Sequence, residues 1–93
     1  MKREIYVLSP TDNVAVALTE LTKIGQELYF ENAGKGITVI LREKIPFGHK
    51  VAIKDIKKQD RVYKYGEDID FATQDIKAGQ WVHTHNIASE RGK

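Results

Sequence analysis

The stretch Ala52-Ile53-Lys54-Asp55-Ile56-Lys57-Lys58-Gln59-Asp60-Arg61-Val62 is echoed by Ala72-Thr73-Gln74-Asp75-Ile76-Lys77-Ala78-Gly79-Gln80-Trp81-Val82. Ala, Asp, Ile, Lys and Val recur at a displacement of 20 residues. The shared unit reads as a strand, an Asp-Ile-Lys turn and a second strand led by Val. Two copies are too few for a solenoid, which needs about three or more. A pair of such units predicts a compact β fold with local pseudo-symmetry. A fainter echo, with one residue extra, runs from Glu20 to Leu28.

Inside each copy the Asp has a local task. An Asp side chain at a turn bonds nearby backbone N–H groups, so Asp55 and Asp75 read as turn organisers rather than catalytic acids. Ile56 and Ile76 are expected to point inward. The turn favours Gly at a left-handed position, which Gly79 supplies and Gln59 does not.

The remaining strands are short. Ile5-Tyr6-Val7-Leu8, Glu27-Leu28-Tyr29-Phe30 and Ile37-Thr38-Val39-Ile40-Leu41 are apolar and rich in β-branched or aromatic residues. The turn-rich segment Glu31 to Gly36 separates the last two. One stretch has helical period: Val14, Ala17, Leu18 and Leu21 fall at i, i+3, i+4 and i+7. Asp12 precedes them as an N-cap. The expectation is a mainly β domain, residues 1–93, with one short α-helix over 12–21.

Composition narrows the function. A chain of 93 residues has room for one domain and one core. There is no cysteine, hence no disulfide, thiolate nucleophile or zinc–thiolate site, which fits a cytoplasmic protein. The opening MKREIYVLSP has no long apolar run, which argues against a signal peptide or membrane span. Fifteen basic residues against 13 acidic ones give a net charge of +2, too balanced for a dedicated nucleic-acid binder. A local basic excess lies in Lys50, Lys54, Lys57, Lys58, Arg61 and Lys64. It is a solvated face or an attractive field for an anion.

Candidate chemistry gathers at Val82-His83-Thr84-His85-Asn86. On a strand, His83 and His85 share one face with Trp81, while Val82 points inward. In the first copy the same face carries Arg61, Tyr63 and Tyr65. Two histidines spaced in this way can chelate one metal ion, but they need a third ligand, for which His49 is the candidate. The other reading is an exposed, solvated pair. Ser9 and Ser89 lack the glycine-elbow context of a nucleophile, and Gly34-x-Gly36 is too short to cradle phosphate. Glu67, Asp68 and Asp70 read as a solvated acidic turn.

Taken together, Ile45-Pro46-Phe47-Gly48-His49-Lys50-Val51-Ala52, Asp55-Ile56, Lys64-Tyr65-Gly66, Ala72-Thr73-x-Asp75-Ile76 and Val82-His83-Thr84-His85-Asn86 resemble the SAF-type domain of altronate and galactarate dehydratases. The resemblance extends to the stand-alone small subunits of that group and of sulfolactate sulfo-lyase. It covers nearly the whole chain, from Asp12-Asn13-Val14-Ala15-Val16-Ala17-Leu18 to Arg91-Gly92.

The resemblance implies a β-clip fold and a role as the small part of a metal-dependent hydro-lyase acting on sugar acids (aldonates or aldarates). The catalytic bulk would lie in a large dehydratase subunit, and the metal would be a divalent iron or manganese ion. Whether the chain also forms a homo-oligomer is left open. Five motif positions are implied as functional: His49, His83 and His85 as catalytic groups, His83 and His85 also as metal ligands, Lys50 and Asn86 as substrate contacts. The alternative is a non-enzymatic module in which Tyr63, Tyr65 and Trp81 bind carbohydrate or a partner. Gln59 and Asp70 stand where the family pattern has glycine.

Overall fold

The computed structural model describes residues 3–89. Among them it contains nine β-strands: β1 (Ile5–Tyr6), β2 (Val14–Ala17), β3 (Glu27–Asn32), β4 (Lys35–Ile40), β5 (Lys50–Ala52), β6 (Arg61–Lys64), β7 (Glu67–Ala72), β8 (Trp81–Val82) and β9 (Ile87–Ala88). A four-stranded sheet runs β1-β2-β5-β8, a hairpin pairs β3 with β4, and a three-stranded sheet runs β6-β7-β9. All pairings are antiparallel.

The expected helix over 12–21 is absent; Val14–Ala17 is a strand instead. The reason is its place in the sheet. β2 lies between β1 and β5, and both of its faces are covered. Val14 packs in one apolar cluster, while Ala15 and Ala17 pack in another. A strand buried on both faces has no polar alternation, and its run of apolar residues mimics a helical stripe. The two valines fit the pleated backbone well.

Asp12 is therefore not an N-cap. Its side chain is 1% exposed and accepts N–H bonds from Tyr65 (2.9 Å), Gly66 (2.8 Å) and Ser9 (3.2 Å). These bonds tie the start of β2 to the β6–β7 turn, where Tyr65 has φ 56° and Gly66 has φ 79°.

The duplicated units face each other across a local two-fold axis. Ile56 and Ile76 exchange N–H···O bonds of 2.7 Å in both directions. The N–H of Gln59 bonds the Ala72 carbonyl and that of Gly79 bonds the Ala52 carbonyl, both at 2.7 Å. Asp55 Oδ1 accepts from Ala78 N–H (2.9 Å), and Asp75 Oδ1 accepts from Lys58 N–H (2.8 Å). Both aspartates are turn organisers, but each organises the opposite copy. Ile56 and Ile76 are 2% and 1% exposed, both within the second apolar cluster.

The same construction occurs a second time. Leu21 and Ile45 exchange bonds of 2.9 Å, Gly25 N–H bonds the Leu41 carbonyl, and Gly48 N–H bonds the Ala17 carbonyl. The faint echo over Glu20–Leu28 is thus a real copy, and its partner is Leu41–His49. Four loops form two crossed pairs. Each places a left-handed residue at the same point: Gly25 (φ 93°), Gly48 (φ 83°), Gln59 (φ 77°) and Gly79 (φ 95°). Gln59 therefore keeps the turn shape and carries its strain.

The apolar contacts divide between the two pairs. Leu21, Leu28, Phe30, Leu41, Ile45 and Val51 belong to one cluster. Val14, Ile56, Val62, Ile76, Val82 and Ile87 belong to the other. Each fully buried Leu, Ile or Val contributes about 1.5–3 kcal/mol. β2 and β5 connect the clusters, since Val51 faces the first and Ala52 the second.

Candidate functional site

The loop Ile45–His49 turns at Gly48 and delivers His49 to the start of β5. β5 pairs with β8, with Val51 opposite Trp81 and Lys50 opposite Val82. Neighbouring strands lie about 4.8 Å apart, so His49 and Trp81 meet above the same end of the sheet. The Trp81 Nε1–H donates to His49 Nδ1 at 3.2 Å.

After β8 the chain does not continue as a strand. The N–H groups of Asn86 and Ile87 both bond the His83 carbonyl, at 3.0 and 3.1 Å, closing a turn. The expectation that strand alternation groups His83, His85 and Trp81 is corrected: the grouping exists, but a turn makes it. The His83 ring stacks on the Trp81 indole at 5.3 Å between centroids and 9° between planes. His85 approaches the same indole at 5.2 Å, tilted by 49°. His49 lies 4.7 Å from His83. All three histidines of the chain therefore gather around Trp81.

Asn86 holds this turn. Its Oδ1 accepts the His83 N–H at 2.9 Å, and its Nδ2 donates to the Trp81 carbonyl at 2.8 Å. The residue is 4% exposed. Both ends of its amide make a bond inside the loop, so Asn86 shapes the site from beneath. Glu43 acts similarly from another loop, where its Oε2 accepts the Trp81 backbone N–H at 2.9 Å. Neither Glu43 nor the hydrogen bond from Trp81 to His49 had a legible signal, because both depend on the crossing of separate loops.

Electrostatics distinguish two groups. Burial holds the His83 imidazole below its ordinary pKa, and the nearby His49, Lys50 and His85 push it the same way. His83 is thereby biased to the neutral form. Half-buried Lys50 is also lowered from its usual value, first by burial and then by Lys64, while Asp70 opposes the shift. Asp70, one of the two departures from the family pattern, thus acts electrostatically on the candidate lysine. A lysine and a histidine whose charged forms are both disfavoured mark a place where an anion would be welcome.

The metal expectation fares differently. Among the described residues, no three His, Asp or Glu side chains converge as a group that could hold a metal ion. His49, the expected third ligand, has Nδ1 occupied by the indole N–H. The donor set of this chain alone does not make a metal centre.

The alternative reading rests on Tyr63, Tyr65 and Trp81. Tyr63 and Tyr65 belong to the β6–β7 hairpin region, where Lys64 Nζ lies 5.0 Å from the Tyr65 ring centroid. Trp81 is engaged with the histidines instead. A shallow groove of about 320 Å³ runs beside it, lined by Leu21, Thr22, Ile45 and Pro46 among others. Among the described residues, no helix is long and apolar enough to cross a membrane. Arg91-Gly92, the closing part of the resemblance, lies outside the described residues.

Comparison with known proteins agrees with this picture. Residues 3–90 match the family model described as the altronate/galactarate dehydratase SAF domain. The chain is 48% identical over 75 residues to altronate dehydratase of Escherichia coli, covering 81% of this chain and 14% of that protein. It is 39% identical over 75 residues to altronate dehydratase of Bacillus subtilis, again 14% of that protein. It is 32% identical over 93 residues to (2R)-sulfolactate sulfo-lyase subunit alpha of Chromohalobacter salexigens, covering 98% of this chain and 99% of that one. The chain thus spans about one seventh of the dehydratases and nearly the full length of the sulfo-lyase subunit. With residues 3–90 matched and these relatives in agreement, the chain belongs to the altronate/galactarate dehydratase SAF domain family.

Proposed function

We propose that this chain is the accessory part of a hydro-lyase that removes water from a sugar acid, and that it completes an active site with a larger catalytic polypeptide. The observation that carries the reading is the gathering of His49, His83 and His85 around Trp81 at an open edge of the domain, with Lys50 close enough to disfavour charge on His83. The length relationships support the division of labour. The matched region is a small share of the dehydratases, while a relative of the same length is named as a subunit. The crossed loop pairs support reading the fold as a β-clip.

The chemistry suits these side chains. Dehydration of a 2,3-dihydroxy acid removes the proton beside the carboxylate and expels the β-hydroxyl as water, leaving an enol that becomes the 2-oxo acid. Lys50 pairs with the substrate carboxylate and stabilises charge as it develops. His83, biased to neutrality, is suited to accept a proton; His49 and His85 are the candidates to donate a hydrogen bond or a proton to a hydroxyl. Where the reaction uses a divalent iron or manganese ion, the ion would supply Lewis-acid stabilisation of the developing charge, and His83 and His85 would be this chain's ligands to it, completed by donors of the larger polypeptide.

The test is reconstitution. The purified chain alone should show no turnover of altronate or galactarate, and should raise the activity of its dehydratase-like partner at least tenfold when mixed with it. Sulfolactate in a parallel assay distinguishes loss of water from loss of sulfite. Full activity of the larger polypeptide without this chain would overturn the proposal. So would full activity with the His49→Ala/His83→Ala double variant, or metal-independent sugar binding by the chain alone.

A further inference from the structure

We propose that Trp81 is a positioning residue that fixes His49 in the tautomer carrying its hydrogen on Nε2, so that the neutral ring presents an N–H donor to the open site. An indole N–H can only donate. With Trp81 Nε1 lying 3.2 Å from His49 Nδ1, that nitrogen must offer its lone pair. A neutral imidazole has one N–H, which is then on Nε2.

The indole is itself held on several sides. Glu43 accepts its backbone N–H, Asn86 donates to its carbonyl, and its ring stacks on His83. Two segments distant in sequence, Glu43–His49 and Trp81–Asn86, thus converge to aim one N–H. In the lyase reading proposed above, the consequence is that His49 polarises a substrate oxygen by donation and does not act as the base. Only that last step rests on the functional reading; the tautomer does not.

The test is a long-range ¹H–¹⁵N correlation spectrum of the imidazoles in the ¹⁵N-labelled 93-residue chain, recorded at about pH 8, together with the Trp81→Phe variant. The native chain should show His49 with an unprotonated Nδ1 and a protonated Nε2. Trp81→Phe keeps a ring against His83 but removes the donor. The His49 nitrogens should then move toward averaged positions, with the tautomer ratio relaxing about tenfold, which is what one hydrogen bond of ordinary net strength sustains.

A native spectrum with the hydrogen on Nδ1 would overturn the proposal without any variant being needed. So would His49 signals that stay unchanged in a folded Trp81→Phe. Neither result bears on whether the chain supports a lyase, which the reconstitution assay decides separately.

Discussion

Asp55 and Asp75 hold each other's turns: Asp55 Oδ1 accepts the N–H of Ala78 at 2.9 Å, and Asp75 Oδ1 accepts the N–H of Lys58 at 2.8 Å. The two bonds are related by the local two-fold axis and join segments that sequence places apart. Both carboxylates are exposed, so each bond is worth less than it would be in the core. Asp55→Ala and Asp75→Ala should each lower unfolding free energy by about 1 kcal/mol, measured by urea titration. A near-zero effect for both would show that the backbone bridge between Ile56 and Ile76 suffices.

The left-handed turn positions give a pair of opposite effects. Gln59 has φ 77°, which an L side chain adopts only with strain. Gln59→Gly should stabilise by about 0.5–1 kcal/mol, since relief of strain exceeds the added freedom of the unfolded chain. At the equivalent Gly79, a Cβ would lie 1.9 Å from the Ile40 carbonyl oxygen. Gly79→Ala should therefore cost more than about 2 kcal/mol, because backbone rather than a flexible side chain must move. Equal effects at the two sites would contradict the assigned backbone geometry.

Asp12 should be among the most sensitive polar positions. Its buried carboxylate satisfies the N–H groups of Ser9, Tyr65 and Gly66 at once. Asp12→Ala removes the acceptor of three part-buried N–H groups at once and should cost about 2–3 kcal/mol. A helix N-cap at this place would cost only about 1 kcal/mol, so the size of the loss discriminates between the two local structures.

His83 should make stability depend on pH. Folding lowers its pKa below the ordinary 6.5 because the ring is desolvated and has cationic neighbours. The folded chain then binds fewer protons than the unfolded chain near that value. Its contribution is present above pH 6.5 and is lost as pH falls through the folded-state value. Urea midpoints measured from about pH 8 down to about pH 5 should fall more steeply for the native chain than for His83→Gln. Parallel profiles would refute the assignment.

Lys50 should be a residue that lowers stability where it stands. Burial and Lys64 disfavour its charge, and Asp70 partly compensates. Lys50→Met should raise the melting temperature at neutral pH, and Asp70→Asn should lower the Lys50 pKa further, read from its side-chain resonances. A lower melting temperature in Lys50→Met would mean that the ammonium has a stabilising partner after all.

The false helix shows where sequence reading failed and why. Val14, Ala17, Leu18 and Leu21 fall on one side of a helical wheel, yet Leu18 is 45% exposed and Val14, Ala15 and Ala17 are buried on two different faces. Period alone cannot separate a helix stripe from a strand covered on both sides. The copy at Leu41–His49 is also faint in the sequence. It keeps only Ile45, Gly48 and Val51 in step with Ile76, Gly79 and Val82, and these few identities are easily lost among varied surface residues. Their spacing was nevertheless a usable signal, because a two-way backbone bridge and a left-handed turn need little more than one buried apolar residue and one glycine.

By itself, the sequence determined the repeated turn: an inward isoleucine, an aspartate with a free carboxylate and a left-handed position follow from local backbone chemistry. It also singled out the candidate side chains, since His49, Lys50, His83 and His85 are read directly from the chain. Tertiary structure decided what those turns bind and what those side chains face. Asp55 reaches Ala78 rather than its own loop, Asn86 closes a turn rather than facing solvent, and Trp81 becomes the hub for three histidines. The physical reason is common to all three: each interaction joins groups brought together only when loops cross, and short-range propensity contains no information about crossing.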